Sequence, residues 1–245
     1  SEKIINNYSQ IYQDMFVLTM TNGIENGSYL EIGSGDPIYG NNTYLLEKEF
    51  NWNGLSIDIN ESYKLSFTKK RNNKFICENA LIIDYYKLLN DNFKINIIDY
   101  LQIDCDPCDN SYEVLLKIPF DKYHFKVITF EHDYYNDKSR KYRNKSRDYL
   151  IKLGYHLIGG NISPNYYENP FEDWYIHPNY ISKDIYKQFI NTQNKFICGE
   201  LFMFIKHNLH LIFFGDNLFE KQKLRLNKQA LNTNWFQSIT IESPE

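Results

Sequence analysis

The sequence predicts an α/β fold, a mostly parallel β-sheet with helices on both faces. Three observations predict it. Short apolar runs such as "SYLEI", "GLSIDI", "NIIDYLQIDCD" and "FKVITFEHD" alternate with segments of helical periodicity. Each connection holds a helix, as parallel strands joined by right-handed crossovers require. Several of the runs also end in glycines or acids, and an open α/β sheet binds its ligand beyond those strand ends.

The elements follow in order. In "SQIYQDMFVLTM" the residues Ile11, Met15 and Leu18, with Tyr12 and Phe16, fall at helical spacing, and Ser9 is the expected N-cap. "SYLEI" is a buried strand, and "NNTYLLEKEF" a helix capped by Asn42 or Thr43. "GLSIDI" is the next strand, followed by a helical "ESYKLSFTKKR". A third strand, "KFICENA", has a polar end, and "IIDYYKLLND" is helical. "NIIDYLQIDCD", a short helix in "SYEVLLKI", and "FKVITFEHD" continue the alternation. The helix "SRDYLIKLG" stops at Gly154, and the strands "YHLIGGNI" and "WYIHP" follow. After a helical "ISKDIYKQFINTQNK", the runs "FICGELFMFI" and "LHLIFF" are apolar enough for two more strands. The expected organisation is one catalytic domain over 1–181 and an extension over 182–245 that caps the core or mediates homodimerisation.

The bulk properties narrow the function. A chain of 245 residues buries a substantial core. A net charge of -4 argues against a nucleic-acid binder, and the basic run from Asp137 to Arg147 reads as a solvated helix. No apolar window reaches membrane-spanning length and the first residues lack a signal-peptide layout, so a soluble, cytoplasmic protein is expected. Cys77, Cys105, Cys108 and Cys198 are too few for a disulfide scaffold, and Cys105 and Cys108 read as reduced thiols in a turn.

The stretch "YLEIGSGDPIYG" carries the ligand argument. Gly33 and Gly35 follow the first strand, where a missing Cβ lets a ligand reach the backbone. Asp58 closes the second strand, 23 residues after Gly35, near the spacing at which an acid accepts from ribose hydroxyls. A dinucleotide loop is G-x-G-x-x-G, but here Asp36 and Pro37 occupy the turn and the next glycine comes too late. Asp36 and Glu31 suit a cationic ligand, and S-adenosylmethionine, with its sulfonium and ammonium, fits better than NAD. Asn79 could bond the adenine edge while Ala80 lies against the ring.

Methyl transfer from such a ligand requires alignment of acceptor atom, methyl and sulfur, and, where the acceptor carries a proton, its removal. Asp104 and Asp106 end the fourth strand; Glu131, His132 and Asp133 end the fifth. His132 is a candidate general base. Alternatively, Asp104, Asp106 and Glu131 could hold Mg²⁺ or Ca²⁺ and lower the acceptor pKa directly. Asp173, Trp174 and His177 of "FEDWYIHP" belong to a hairpin able to overhang the cofactor, with Trp174 suited to a sugar ring, to the adenosyl group or to core packing.

Six segments, "SQIYQD", "YLEIGSGD", "NNTYLLEKEFNWNGLSIDI", "YLQIDCDPCDNSYEVL", "FKVITFEHD" and "FEDWYIHP", together resemble the FkbM family of class I S-adenosylmethionine-dependent methyltransferases, over about Ser9 to Pro178. The resemblance implies a seven-stranded Rossmann-like sheet of order 3-2-1-4-5-7-6, its last two strands a hairpin. It implies O-methylation, often of a sugar hydroxyl in a glycan or glycosylated metabolite. Glu31, Gly33 and Gly35 would fall on the methionine-end loop, Asp58 on the ribose, Asn79 and Ala80 on the adenine pocket, and Gln13 with Asp14 would close over the cofactor. Asp106-Pro107 and Pro37 stand where the family usually has glycines. Two further readings remain: a metal-dependent glycosyltransferase using Asp104-Cys105-Asp106 as D-x-D, and an inactive interaction module on the same fold.

Overall fold

The computed structural model describes residues 8–136, 140–162 and 170–190. Its helices are α1 (Gln13–Met20), α2 (Tyr44–Phe50), α3 (Ser62–Lys70), α4 (Tyr85–Asn92), α5 (Cys108–Lys117), α6 (Arg140–Lys152) and α7 (Lys183–Ile190). The strands are β1 (Ser28–Ile32), β2 (Asn53–Asp58), β3 (Lys74–Cys77), β4 (Ile97–Ile103), β5 (His124–Glu131), β6 (His156–Ile162) and β7 (Glu172–Ile176). They form one seven-stranded sheet of order β3-β2-β1-β4-β5-β7-β6. All neighbours pair in parallel except β7, which runs antiparallel to both β5 and β6. The α/β fold read from the sequence is therefore the fold observed.

Strand alternation sorts the core into two layers. Tyr29, Tyr100, Val127, Trp174 and Ile176 face α1, α2 and α7, meeting Phe16, Leu18, Leu45, Phe50 and Tyr186. Leu30, Ile32, Leu101, Ile103, Ile128, Phe130 and Tyr175 face α4, α5 and α6, meeting Leu89, Val114, Leu115 and Leu150. Trp174 is 1% exposed and stacks on Phe16 with ring centres 4.6 Å apart. Deleting such a side chain costs roughly 3–5 kcal/mol, which assigns Trp174 to the core. α7 packs on the first layer through Ile185 and Tyr186; the strands expected in "FICGELFMFI" and "LHLIFF" lie outside the described residues.

Two expected caps differ from those observed. α1 starts at Gln13, after Tyr12 in the left-handed region at φ 73°. Ser9 does not cap it. Ser9 Oγ donates to Asp14 Oδ1 at 2.6 Å, and the Tyr8 and Ser9 amides donate to Asp14 Oδ2 at 3.0 and 3.3 Å. At α2 the Thr43 side chain makes no cap bond; Asn41 Oδ1 accepts from the Thr43 and Tyr44 amides at 3.1 and 2.8 Å. An amide side chain held rigidly just before the helix reaches those donors better than the predicted neighbours.

Candidate functional site

The register sets one row of residues side by side along the carboxyl ends of the strands. Ile32 pairs with Ile57 and with Ile103, and Ile103 with Phe130, so Asp58, Gly33, Asp104 and Glu131 follow one another across the sheet. Because β7 runs the other way, its first residue, Glu172, lies directly opposite Glu131.

A cavity of about 370 Å³ opens above the left part of this row. Gly33, Gly35, Asp58, Asn79, Ala80 and Asp104 line it, joined by Ile59, Tyr63, Glu78, Leu81, Cys105 and Asp106. Six of the sequence-predicted cofactor and reaction residues therefore meet here, and a seventh, Asp106, with them. Gly33 and Gly35 serve different purposes. A Cβ on Gly33, at φ +78°, would lie 1.6 Å from the Asp104 carbonyl oxygen, so this glycine lets β1 pass close to β4. A Cβ on Gly35, at φ +60°, would meet nothing within 4 Å and would enter the cavity.

Asp58 organises the loop. Its Oδ2 accepts from the Gly35 amide at 2.8 Å and its Oδ1 from the Asn60 amide at 2.8 Å. Asn79 Oδ1 accepts from the Leu81 amide at 2.9 Å, so what Asn79 offers the cavity is its N–H group. Asp36 turns inward on its own loop, accepting from the Ile38 and Tyr39 amides, both at 2.9 Å. Ser34 Oγ, between the two glycines, is buried with no hydrogen-bond partner among the described residues.

Three predicted cofactor contacts do not line the cavity. Glu31 points into the α1–α2 layer, where Ser56 Oγ and Thr43 Oγ1 donate to it at 2.6 and 2.9 Å. Burial pushes its carboxyl up, against the nearby Arg71 guanidinium. Arg71, which the sequence reading missed, ties this layer to the loop through Glu47 at 2.7 Å, the Pro37 carbonyl at 3.1 Å and Asn41 at 3.0 Å. Gln13 is buried against Glu172, its Nε2 donating to Glu172 Oε2 at 2.8 Å. Asp14 holds the chain before α1, as described above.

The right part of the row is a buried carboxyl group cluster. Asp104, Glu131 and Glu172 all face the α1 side, by the alternation that turns Tyr100, Val127 and Trp174 there. Asp104 and Glu131 share a side-chain hydrogen bond. Burial, then the charge of Asp104, drives Glu131 far up, so Glu131 keeps the shared proton and Asp104 is the partner that ionises. Burial pushes Asp104 up to about 6. Burial and then Asp104 push Glu172 up to about 8; the sequence reading missed this residue. Among the described residues no group of three or more His, Cys, Asp and Glu side chains is arranged to hold a metal ion. The predicted ligand set of Asp104, Asp106 and Glu131 is thus not assembled. Burial lifts the Cys105 thiol to about 12, with Asp104 adding to it, which keeps it a thiol as expected of a structural cysteine.

His132 and Asp173 belong to the other face. His132 is fully buried; its Nδ1 accepts from the Tyr134 amide at 3.1 Å, which turns Nε2 toward Asp173 Oδ1, 3.3 Å away. Nε2 makes no hydrogen bond among the described residues but lies against the Asp173 carboxyl, and His132 does not line the cavity as a general base would have to; it stands between β5 and β7. Arg147 forks onto Asp173 at 2.6 and 2.7 Å, and the His132 ring together with this guanidinium holds the Asp173 carboxyl well below the usual range despite its burial. His177 lies at the opposite end of the sheet, beside His124 with ring centres 5.9 Å apart, because antiparallel β7 leads away from the row. Neither Trp174 nor His177 overhangs the cavity.

No family model and no curated protein matches the chain. Solved structures do. The O-methyltransferase from Bacillus cereus in complex with SAH is 14% identical, covers 71% of this chain and 83% of its own, and superposes with a TM-score of 0.50. TrmK of M. capricolum, in complex with S-adenosyl-homocysteine, is 16% identical over 87% of this chain and 92% of its own, with a TM-score of 0.44. The strand order, the reversed β7 and the B. cereus superposition give this chain the Rossmann-like fold of class I methyltransferases.

Proposed function

We propose that this chain is an S-adenosylmethionine-dependent methyltransferase directed at a hydroxyl oxygen, with a sugar as the acceptor class that the FkbM resemblance favours. The observation that carries the reading is the cavity over the strand ends, which joins Asp58 and Asn79 at one end to the raised carboxyl of Asp104 at the other. The chemistry of the residues fits the cofactor. Asp58 is an ionic acceptor for a ribose diol. Ile59 and Leu81, with Ala80, give an adenine-sized apolar wall, and Ile59 is 68% exposed there. Gly35 leaves the space that a side chain would fill. The carboxylates that line the cavity suit a sulfonium there and disfavour a pyrophosphate.

When bound, S-adenosylmethionine supplies an electrophilic methyl group. The chain supplies the proton acceptor. Asp104, at about 6, is ionised at neutral pH yet more basic than an ordinary carboxylate, so it can take the acceptor proton as oxygen attacks. Glu131, protonated, orients Asp104 through their hydrogen bond. Glu172, held by Gln13, keeps a second neutral carboxyl behind them.

Calorimetry with S-adenosylhomocysteine, NAD and UDP-sugars tests the cofactor. Binding of S-adenosylhomocysteine with no metal-dependent response to a UDP-sugar is expected, and Asp58→Ala should weaken S-adenosylhomocysteine binding about 10- to 100-fold through loss of charge-assisted hydrogen bonds. A metal-dependent response to a UDP-sugar instead would establish the glycosyltransferase reading.

A further inference from the structure

Charge divides the rim of the sheet. Asp58, Asp104 and Asp106 line the cavity on the β1–β4 side, whereas α6, packed beyond β5 and β7, carries six basic residues and one acid between Arg140 and Lys152. This local excess stands against the net charge of the chain.

Two arginines of that helix are held differently. Arg147 has a carboxylate, the fork onto Asp173. Arg143, one turn earlier, has none among the described residues. Its Cζ lies 3.4 Å from the centre of the Tyr134 ring. Its Nη1 donates to Asn161 Oδ1 at 2.8 Å, and its Nε and Nη2 donate to Asn144 Oδ1 at 3.2 and 3.0 Å. Every one of these partners is neutral. Arg147 Nη2 donates to the same Asn161 oxygen at 2.9 Å, so two guanidinium groups converge on one amide. Asn161 stands at φ 58°, a left-handed conformation, at the point of convergence. Burial and then the charge of Arg147 push Arg143 down, against the pull of Tyr134 and Asp173.

The location is the rim at the carboxyl ends of the strands, outside the residues that line the cavity. Tyr134 follows Asp133 in the loop after β5, and its amide is the donor to His132. Asn161 ends β6 at the same rim as Glu131 and Glu172, since Ile162 pairs with Glu172. Elements α6, β6 and the β5 loop thus hold a planar, forked donor rigidly near the carboxyl-end rim, which is what bidentate recognition of an oxyanion needs.

We propose that Arg143, stacked on Tyr134 and braced by Asn161, is an oxyanion subsite that receives a phosphate group carried by the methyl acceptor. The word acceptor rests on the methyltransferase reading; the anion site does not.

The test titrates inorganic phosphate, pyrophosphate and acetate into the S-adenosylhomocysteine-saturated chain at fixed ionic strength, for wild type, Arg143→Gln and Arg143→Lys. Pyrophosphate is expected to bind best, to lose about tenfold or more in Arg143→Gln and less in Arg143→Lys, with S-adenosylhomocysteine affinity unchanged in all. Equal pyrophosphate affinity in wild type and Arg143→Gln, or no binding up to about 10 mM, overturns the subsite. Acetate binding as tightly as phosphate overturns the phosphate assignment. Should Arg143→Gln not fold, pyrophosphate protection of Arg143 from phenylglyoxal in the wild type, mapped by mass spectrometry, decides: protection supports the subsite and unchanged labelling sinks it. Arginine-dependent pyrophosphate binding without any S-adenosylhomocysteine binding would leave the subsite standing and remove the methyltransferase reading.

Discussion

Replacing Glu172 by glutamine should make the protein more resistant to alkaline pH. Glu172 lies opposite Glu131 and accepts from Gln13 at 2.8 Å, and burial lifts it from an ordinary 4.5 to about 8. Between those values the folded chain holds a proton on this side chain that the unfolded chain has released. Its contribution to stability is complete below about pH 4.5 and is lost as pH rises through about 8. The slope is about 1.4 kcal/mol per pH unit, or about 2 kcal/mol between pH 6 and pH 8. Glutamine keeps an oxygen for Gln13 and has no proton to lose. Urea unfolding of both proteins, followed by circular dichroism at pH 5 to 9, should therefore give stability curves that converge at low pH and separate above it, the variant being the flatter. Parallel curves would show that Glu172 is ionised in the fold and that the neutral carboxyl cluster does not exist.

The remaining predictions concern the cavity. Gly33→Ala should destabilise by about 3 kcal/mol or more, because its methyl meets the Asp104 carbonyl, whereas Gly35→Ala should fold with a strain of about 1 kcal/mol and lose about tenfold in S-adenosylhomocysteine affinity; thermal melts and calorimetry separate the two. Asp104→Asn should lower turnover about 10²- to 10³-fold while changing S-adenosylhomocysteine affinity less than threefold. The wild-type rate should fall below about pH 6 as Asp104 is protonated, and a rate that is flat from pH 5 to 8 would remove Asp104 as the base.

The cavity was legible because several of the residues that line it are announced locally. A glycine turn after "SYLEI", an acid closing "GLSIDI" and "ENA" after the third strand all reach the cavity as their positions require. The acceptor half was less so. Periodicity reveals which face a residue takes but not which way its strand runs, and β7 runs against its neighbours. Reversal brings Glu172 to the row and carries Trp174 and His177 off, the inverse of what "FEDWYIHP" suggests when it is read toward the cofactor. Glu31 misled for a related reason. Its spacing from the glycines was right, but alternation turns it into the α2 layer, toward Thr43 and Ser56. Arg71 and Asn41 were invisible because their partners, Glu47 and the loop at 34–40, lie far away in the chain or depend on helix starts set by geometry.

Every residue lining the cavity comes from the segment between Gly33 and Asn110, while Glu131, Tyr134, Arg143, Asn161 and Glu172 all come later. On the proposed reading, grip on the donor and choice of the recipient are written in successive stretches of the polypeptide. Diversification of the later stretch would then redirect where a methyl group lands without rebuilding the apparatus that delivers it.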